Sequence, residues 1–158
     1  MELQPKPVRA SVVEMTELVL PNDANQLGNI LGGRVMHLID ICGAMAAARH
    51  ARRVCVTASV DNLSFEHPIK VGQAVNLKAW VNYTARTSLE VQVEVYAEDL
   101  LTGERHHTST ALLTFVAVDE QGRPTPVPPV LPETPEEQRR YAEAEKRRAE
   151  RLARRSGS

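Results

Sequence analysis

The chain has 158 residues, 42% of them hydrophobic and 25% charged, and its 19 Lys and Arg stand against 20 Asp and Glu for a formal net charge of -1. That length and composition suit one globular domain with a substantial core and some length left for a tail, and they exclude a wholly disordered chain. The near-zero charge supplies no broad positive field for nucleic acid or an anionic membrane, so any anion site must be local, and no stretch approaches the ~18 apolar residues of a membrane span.

The opening MELQPKPVRA lacks the apolar run of a signal peptide, which leaves a reducing cytoplasm as the expected location. Residues 11–20 (SVVEMTELVL) are apolar with scattered acids and end at Pro21, predicting a first strand closed by a turn. The following PNDANQLGN has turn and loop chemistry. From 33 to 48 the polar side chains are Arg34, His37 and Asp40, while Val35, Leu38, Ile39, Cys42, Met45 and Ala46 recur at helical spacing. This predicts a central helix buried nearly all round, with small residues such as Gly43, Ala46 and Ala47 allowing a sheet to approach its backbone.

After the basic break at 49–53 the sequence alternates with a period of two as far as Val118, the mark of half-buried strands. Val54, Val56, Ala58 and Val60 share one parity and Leu63 and Phe65 the other, so a bulge or bend is expected near Asp61–Asn62. Two more strands run from about Val75 to Tyr83 and from Leu89 to Ala97, joined through Ala85-Arg86-Thr87-Ser88. A turn at Thr102-Gly103 leads to a last strand at about 106–118. Cys42 and Cys55 lie in apolar segments without C-x-x-C spacing and are expected as reduced core thiols. Six of the ten prolines fall between 124 and 135, predicting an extended linker outside the sheet. The rest is rich in helix formers, with Glu136/Arg140, Glu143/Arg147 and Glu150/Arg154 spaced as ion pairs and a thin apolar stripe, which predicts a solvated charged helix. The units expected are a domain at 1–123, a linker at 124–135 and a C-terminal helix at 136–158.

One strand, one long apolar helix and about four further strands make an α+β domain whose antiparallel sheet wraps a single helix. Its open sheet edges and partly uncovered helix predict a dimer with a continuous sheet. Asp40 stands out, because a carboxylate inside an apolar helix is costly to bury unless it is paired, hydrogen-bonded or protonated. An acid satisfied by a loop amide, by Arg34 or by His37 accounts for it as well as a functional role does. Gly28, Gly32 and Gly33 lie just ahead of the helix, where unpaired N–H groups favour developing negative charge and glycines admit a close approach, although a glycine pair is also ordinary turn chemistry. Asn29 is expected to cap the helix, with holding the loop as the alternative. No serine sits in a G-x-S-x-G elbow, and the five histidines show no H-x-x-x-H or H-E-x-x-H spacing for zinc.

The run from Asn22 to Gly33, continuing through Leu38-Ile39-Asp40 to Arg49-His50, resembles the acyl-CoA hydrolases of the hotdog superfamily. The likeness is closest to the small bacterial members and their two-domain cytosolic relatives, the brain-type acyl-CoA hydrolases. It extends to Val60-Asp61-Asn62-Leu63-Ser64-Phe65 with His67-Pro68-Ile69, to Val71-Gly72 and to Phe115-Val116-Ala117-Val118-Asp119, and covers roughly residues 12 to 123. The resemblance implies a hotdog fold and hydrolysis of fatty acyl-CoA, medium- to long-chain, to the free acid and CoA, with no metal and no cofactor beyond the CoA of the substrate. It implies that Asp40 is general base or nucleophile and that Asn25 reaches in from the partner subunit. A thioester oxyanion then falls to Gly32 and Gly33 at the helix start. It further implies that Arg86, Thr87 and Ser88 hold CoA phosphates, with Ala85 where the family often has glycine, and that the assembly is a trimer of dimers. Two other readings are a non-catalytic acyl-CoA sensor and a hotdog enoyl-CoA hydratase in which His37 works with Asp40.

Overall fold

The alternating segments become strands and the apolar run a helix in the computed structural model, which describes residues 3–61 and 63–156. In chain order these are β1 (Lys6–Pro7), β2 (Val13–Leu18), α1 (Gly32–Ala51), β3 (Val54–Asp61), β4 (Ala74–Thr84), β5 (Ser88–Glu98), β6 (Arg105–Val118), β7 (Val130–Leu131) and α2 (Pro135–Ser156). The five longer strands form one antiparallel sheet in the order β2-β4-β5-β6-β3. In the sheet centre Val91 lies opposite both Val81 and Leu113, and residues of that parity point toward α1. The α+β architecture and the sheet wrapped on a central helix are as the sequence predicts.

Ile39, Cys42, Ala46 and Ala47 are wholly buried and share one core with Val91, Val93, Leu113 and Phe115. Gly43 faces Phe115 so closely that a Cβ there would lie 3.2 Å from the ring, which is why the sheet can wrap so near the helix backbone. The helix ends at Arg52, whose φ of 53° is left-handed and whose N–H bonds back to the carbonyl of Ala48.

Three expectations are corrected. First, α1 is not buried nearly all round: Gly33, His37, Ile41, Met45 and Arg49 form an exposed stripe at four-residue spacing, because a single sheet covers only one side of a helix. Second, the irregularity in β3 lies between Thr57 and Ser59, opposite Phe115 and Thr114, and not near Asp61–Asn62; Asn62 itself lies outside the described residues. The extra residue flips the parity, so Cys55, Thr57 and Val60 share the helix-facing side while Val54 and Val56 point outward, 68% and 48% exposed.

Third, the tail is not a spacer and a solvated helix. β7 pairs in parallel with β1, Val127 and Val130 join the core, and the carbonyl of Pro128 meets His50 Nε2 at 2.7 Å. The helix α2 lies across the outer face of the sheet with Ala144 buried, Tyr141 edge-on to Tyr83 at 4.8 Å and Arg140 over the Trp80 ring at 4.6 Å. Arg147 donates two hydrogen bonds, 2.9 and 2.8 Å, to the buried carboxylate of Glu90. The predicted Glu136–Arg140 pair forms at 2.9 Å, but Glu143 takes Arg139 at 3.1 Å because Arg147 is committed to the sheet.

Candidate active site

The loop that enters α1 is organised by its own side chains. Asn25 Oδ1 accepts the N–H groups of Leu27 and Asn29 at 2.9 and 3.2 Å, an Asx turn whose reversal is completed by Gly28 at φ +80°. Its Nδ2 makes no hydrogen bond among the described residues and is free to donate outward. Asp23 braces the same loop, accepting the N–H of Leu31 through its carbonyl at 2.8 Å and pairing with Arg34 Nε at 3.4 Å.

The helix begins at Gly32 behind Leu31, which offers no side-chain cap. Asn29 therefore does not cap it, contrary to expectation; it serves the loop and bridges to Lys70 instead. The N–H groups of Gly32 and Gly33 have no partner among the described residues, while those of Arg34 and Val35 already bond to the carbonyl of Leu31. Beside them opens a cavity of about 300 Å³ whose walls include Ile30, Gly32, Val35, Phe65 and His67. At Gly33 a Cβ would meet nothing within 4 Å, so the helix start is open on that side.

Asp40 is half-buried on α1, and its Oδ1 accepts a 2.5 Å hydrogen bond from Thr57 Oγ1. This decides what holds the acid: Arg34 is turned to Asp23, and His37 is exposed with no hydrogen bond to Asp40 among the described residues. The acid–histidine pair that a hydratase would ask for is thus absent among them. Thr57 escaped the sequence reading. Its only signal is its place on β3 just ahead of the parity change, which turns a polar β-branched side chain inward. Asp40 lies seven residues beyond Gly33, about 10 Å along the helix axis at ~1.5 Å per residue. A carbonyl carbon within reach of Asp40 therefore cannot place its oxygen on Gly33 of the same chain.

The stretch 86–88 runs from the β4–β5 turn into the first residue of β5 and is divided between two surfaces. Arg86 is exposed beside Pro126, Val127 and Tyr141, with its carbonyl accepting the N–H of Val127 at 2.9 Å. The carbonyl of Thr87 accepts the N–H of Ala117 at 2.9 Å, and Ser88 opens to the outer face of the sheet under α2. Both cysteines are free, and burial pushes the Cys42 thiol up to about 12 and the Cys55 thiol up to about 11, so neither offers a thiolate nucleophile at neutral pH.

Residues 27–104 match the model of the thioesterase superfamily. The chain is 45% identical over 129 residues to an uncharacterised acyl-CoA thioester hydrolase of Bacillus subtilis, YkhA, covering 82% of this chain and 75% of that one. It is 33% identical over 156 residues to the human cytosolic acyl coenzyme A thioester hydrolase, covering 98% of this chain but 41% of that protein. Among solved structures it is similar to an apo-hexameric acyl-CoA thioesterase, with 47% identity, a TM-score of 0.91 and coverage of 96% and 97% of the two chains. It is also similar to the Staphylococcus aureus acyl-CoA hydrolase bound to butyryl-CoA, CoA and CoA disulfide, with 36% identity, a TM-score of 0.87 and coverage of 96% and 93%. That hydrolase has further been solved as separate alanine variants of an aspartate, an asparagine and a threonine.

Proposed function

The chain belongs to the thioesterase superfamily, and we propose that it hydrolyses medium- to long-chain fatty acyl-CoA to the free acid and CoA at a site completed by a second copy of itself. The observation that carries this reading is the Asp40 carboxylate, anchored by Thr57 yet about 10 Å along the helix from its own chain's free N–H groups. The anchored oxygen is Oδ1, which leaves Oδ2 to meet water. A second copy supplies what the single chain cannot: the amide of Asn25 and the N–H groups of Gly32 and Gly33. The aspartate, asparagine and threonine replaced in the Staphylococcus aureus hydrolase stand at the same spacing along their chain as Asp40, Asn25 and Thr57 do here, which supports their joint role.

The surface around Asp40 supports the dimer. Ile41 and Met45 are 36% and 39% exposed, and β3, one of the sheet's two edge strands, leaves Val54 and Val56 uncovered. Pairing two β3 edges satisfies their backbone groups and covers these apolar side chains in one step. Three such dimers make the hexamer that the resemblance suggests. Work in the cytoplasm fits the cytosolic hydrolases among its relatives and its two free cysteines.

In the hydrolysis, Asp40 takes a proton from water as the oxygen attacks the thioester carbonyl, and the N–H groups of Gly32 and Gly33 receive the oxyanion. The C–S bond then breaks, and the departing CoA thiolate takes the proton back from Asp40. Direct attack by the carboxylate instead expels CoA as thiolate and leaves an anhydride, which water opens to the free acid and the Asp40 carboxylate while its second proton passes to the thiolate. Either route uses the chain's own residues and water, with no further cofactor.

Thiol release from acyl-CoA is expected to fall at least ~10²-fold in Asp40→Ala, and mixing Asp40→Ala with Asn25→Ala chains is expected to restore part of it. Undiminished turnover in folded Asp40→Ala would sink the role of the aspartate. No recovery despite subunit exchange would place both groups in one chain. A screen across acyl lengths tests the substrate class.

A further inference from the structure

The loop ahead of α1 is a closed unit. Ala24 bridges to Ile30, and the N–H of Asn25 bonds to the carbonyl of Asn29 at 2.8 Å. The unit is pinned from outside by the N–H of Ile30 on the carbonyl of Ile69, 2.7 Å, and the N–H of Val71 on the carbonyl of Gly28, 2.9 Å. At its base the N–H of Leu31 bonds to the carbonyl of Asp23 at 2.8 Å. A hydrogen bond alone fixes a length but permits rotation about it. The ion pair of Asp23 Oδ1 with Arg34 Nε, 3.4 Å, adds a second point of attachment, this one to the first turn of the helix. Asp23 Oδ2 accepts the N–H of Leu20 at 3.1 Å, so both carboxylate oxygens are committed.

Arg34 is unusual for its place. It is the third residue of α1, where a glutamate or glutamine ordinarily reaches back over the helix start and where a cation opposes the helix dipole. The first turn holds no acid. Arginine carries donors only, so it cannot occupy the N–H groups of Gly32 and Gly33, and the Leu31 side chain cannot either. The Asp23 carboxylate, held by Arg34 and by the N–H of Leu20, does not cap them. The pair thus ties the loop to the helix and at the same time keeps an acid off the two open donors.

We propose that Asp23 and Arg34 are positioning residues for the hydrolysis: their ion pair fixes the Asn25 amide relative to the N–H groups of Gly32 and Gly33. One chain then presents all three donors to Asp40 of a second copy as a single rigid unit. The proposal rests on the reading of these groups as one chain's share of a thioesterase site; the pair itself does not touch substrate. A donor misplaced by about 1 Å costs catalysis ~10²-fold, whereas substrate affinity, spread over many contacts, changes little.

The test is steady-state thiol release from dodecanoyl-CoA by the full chain carrying Arg34→Met, Arg34→Lys, Asp23→Asn or Asp23→Asn/Arg34→Met, each with its urea midpoint. Arg34→Met is expected to lower kcat at least ~10-fold with KM within ~2-fold, the mark of a contribution made only in the transition state. Arg34→Lys keeps the cation and is expected to regain most of the loss. The double variant is expected to lose no more than the worse single one, as residues that act together do. The side chains of the pair are 34% and 21% exposed and add little to the fold, so the midpoints are expected to stay at the unaltered value. Subunit mixing supplies a readout that a merely structural role would not move. Arg34→Met mixed with Asp40→Ala leaves one unaltered site in each mixed dimer and is expected to gain activity; mixed with Asn25→Ala it is expected to gain none. A kcat within ~2-fold in Arg34→Met, a loss that tracks a lowered midpoint, additive losses in the double variant, or gain with Asn25→Ala would overturn the proposal. Failure of Asp40→Ala and Asn25→Ala to complement each other would instead sink the shared site, and the coupling in the double variant would then decide on the pair by itself.

Discussion

The two helices are of similar length, 20 residues in α1 and 22 in α2, yet they are held by opposite physics. α1 is held by volume: its inward side chains are small or aliphatic and interlock with the sheet, as the contact of Gly43 with Phe115 shows. α2 is held by points, among them a bidentate ion pair, an aromatic edge contact, a cation–π contact and a buried alanine. A helix held by volume carries a residue whose position must not change, and Asp40 is such a residue. A helix held by points displays cations over a surface at little cost to the core beneath it.

That contrast is open to direct attack. The largest effect on stability is expected in α1: Gly43→Val drives a branched side chain into Phe115 and should cost up to about 3 kcal/mol, read as a lowered midpoint in urea. A wild-type midpoint would mean that the helix is not packed as closely as described. In α2, Arg147→Ala leaves Glu90, which is 4% exposed, without its cation and with only the Asn82 amide donating to its carboxylate, and should cost about 2 kcal/mol while leaving the five-stranded sheet protected from amide exchange. Loss of protection throughout the sheet would show that α2 belongs to the same cooperative unit as α1. Tyr141→Ala removes the edge contact to Tyr83 and should cost about 1 kcal/mol, within which α2 remains helical by circular dichroism.

The smallest effect concerns the joint between the two regions. His50, at the end of α1, is fully buried, with Nε2 at 2.7 Å from the Pro128 carbonyl and Nδ1 without a partner among the described residues. Burial holds its pKa below the ordinary 6.5, with Lys6 nearby acting in the same direction and the Pro128 hydrogen bond opposing. The unfolded chain therefore takes up the proton first as pH falls, and the stability contributed by neutral His50 is complete above about 6.5 and declines below it. Comparing urea midpoints at pH 7.5 and 5.5 for the unaltered chain and His50→Gln should show the steeper fall in the former. Equal falls would remove His50 as the cause.

Much of this was legible because it is local. Alternation with period two marked β4, β5 and β6, and the apolar run with Arg34, His37 and Asp40 marked α1. The turn residues around Asn25 and Gly28 marked the loop. Where the reading failed, the deciding partner lay far along the chain. The inward turn of Thr57 depends on where β3 skips one residue against β6, and both flanking registers look acceptable in sequence. The docking of α2 rests on Arg147 and Glu90, 57 residues apart, and the helix by itself reads as solvated because its charges pair plausibly with one another.

By itself, then, the sequence determined the α+β class, the order of the elements, the loop of Asn25 and the acid at Asp40, since each is written in spacings of a few residues. Only the tertiary structure decided that Thr57 anchors that acid and that the tail packs with its arginines over Ser88. Those outcomes depend on strand register and on desolvation across the sheet, which arise only when distant segments meet.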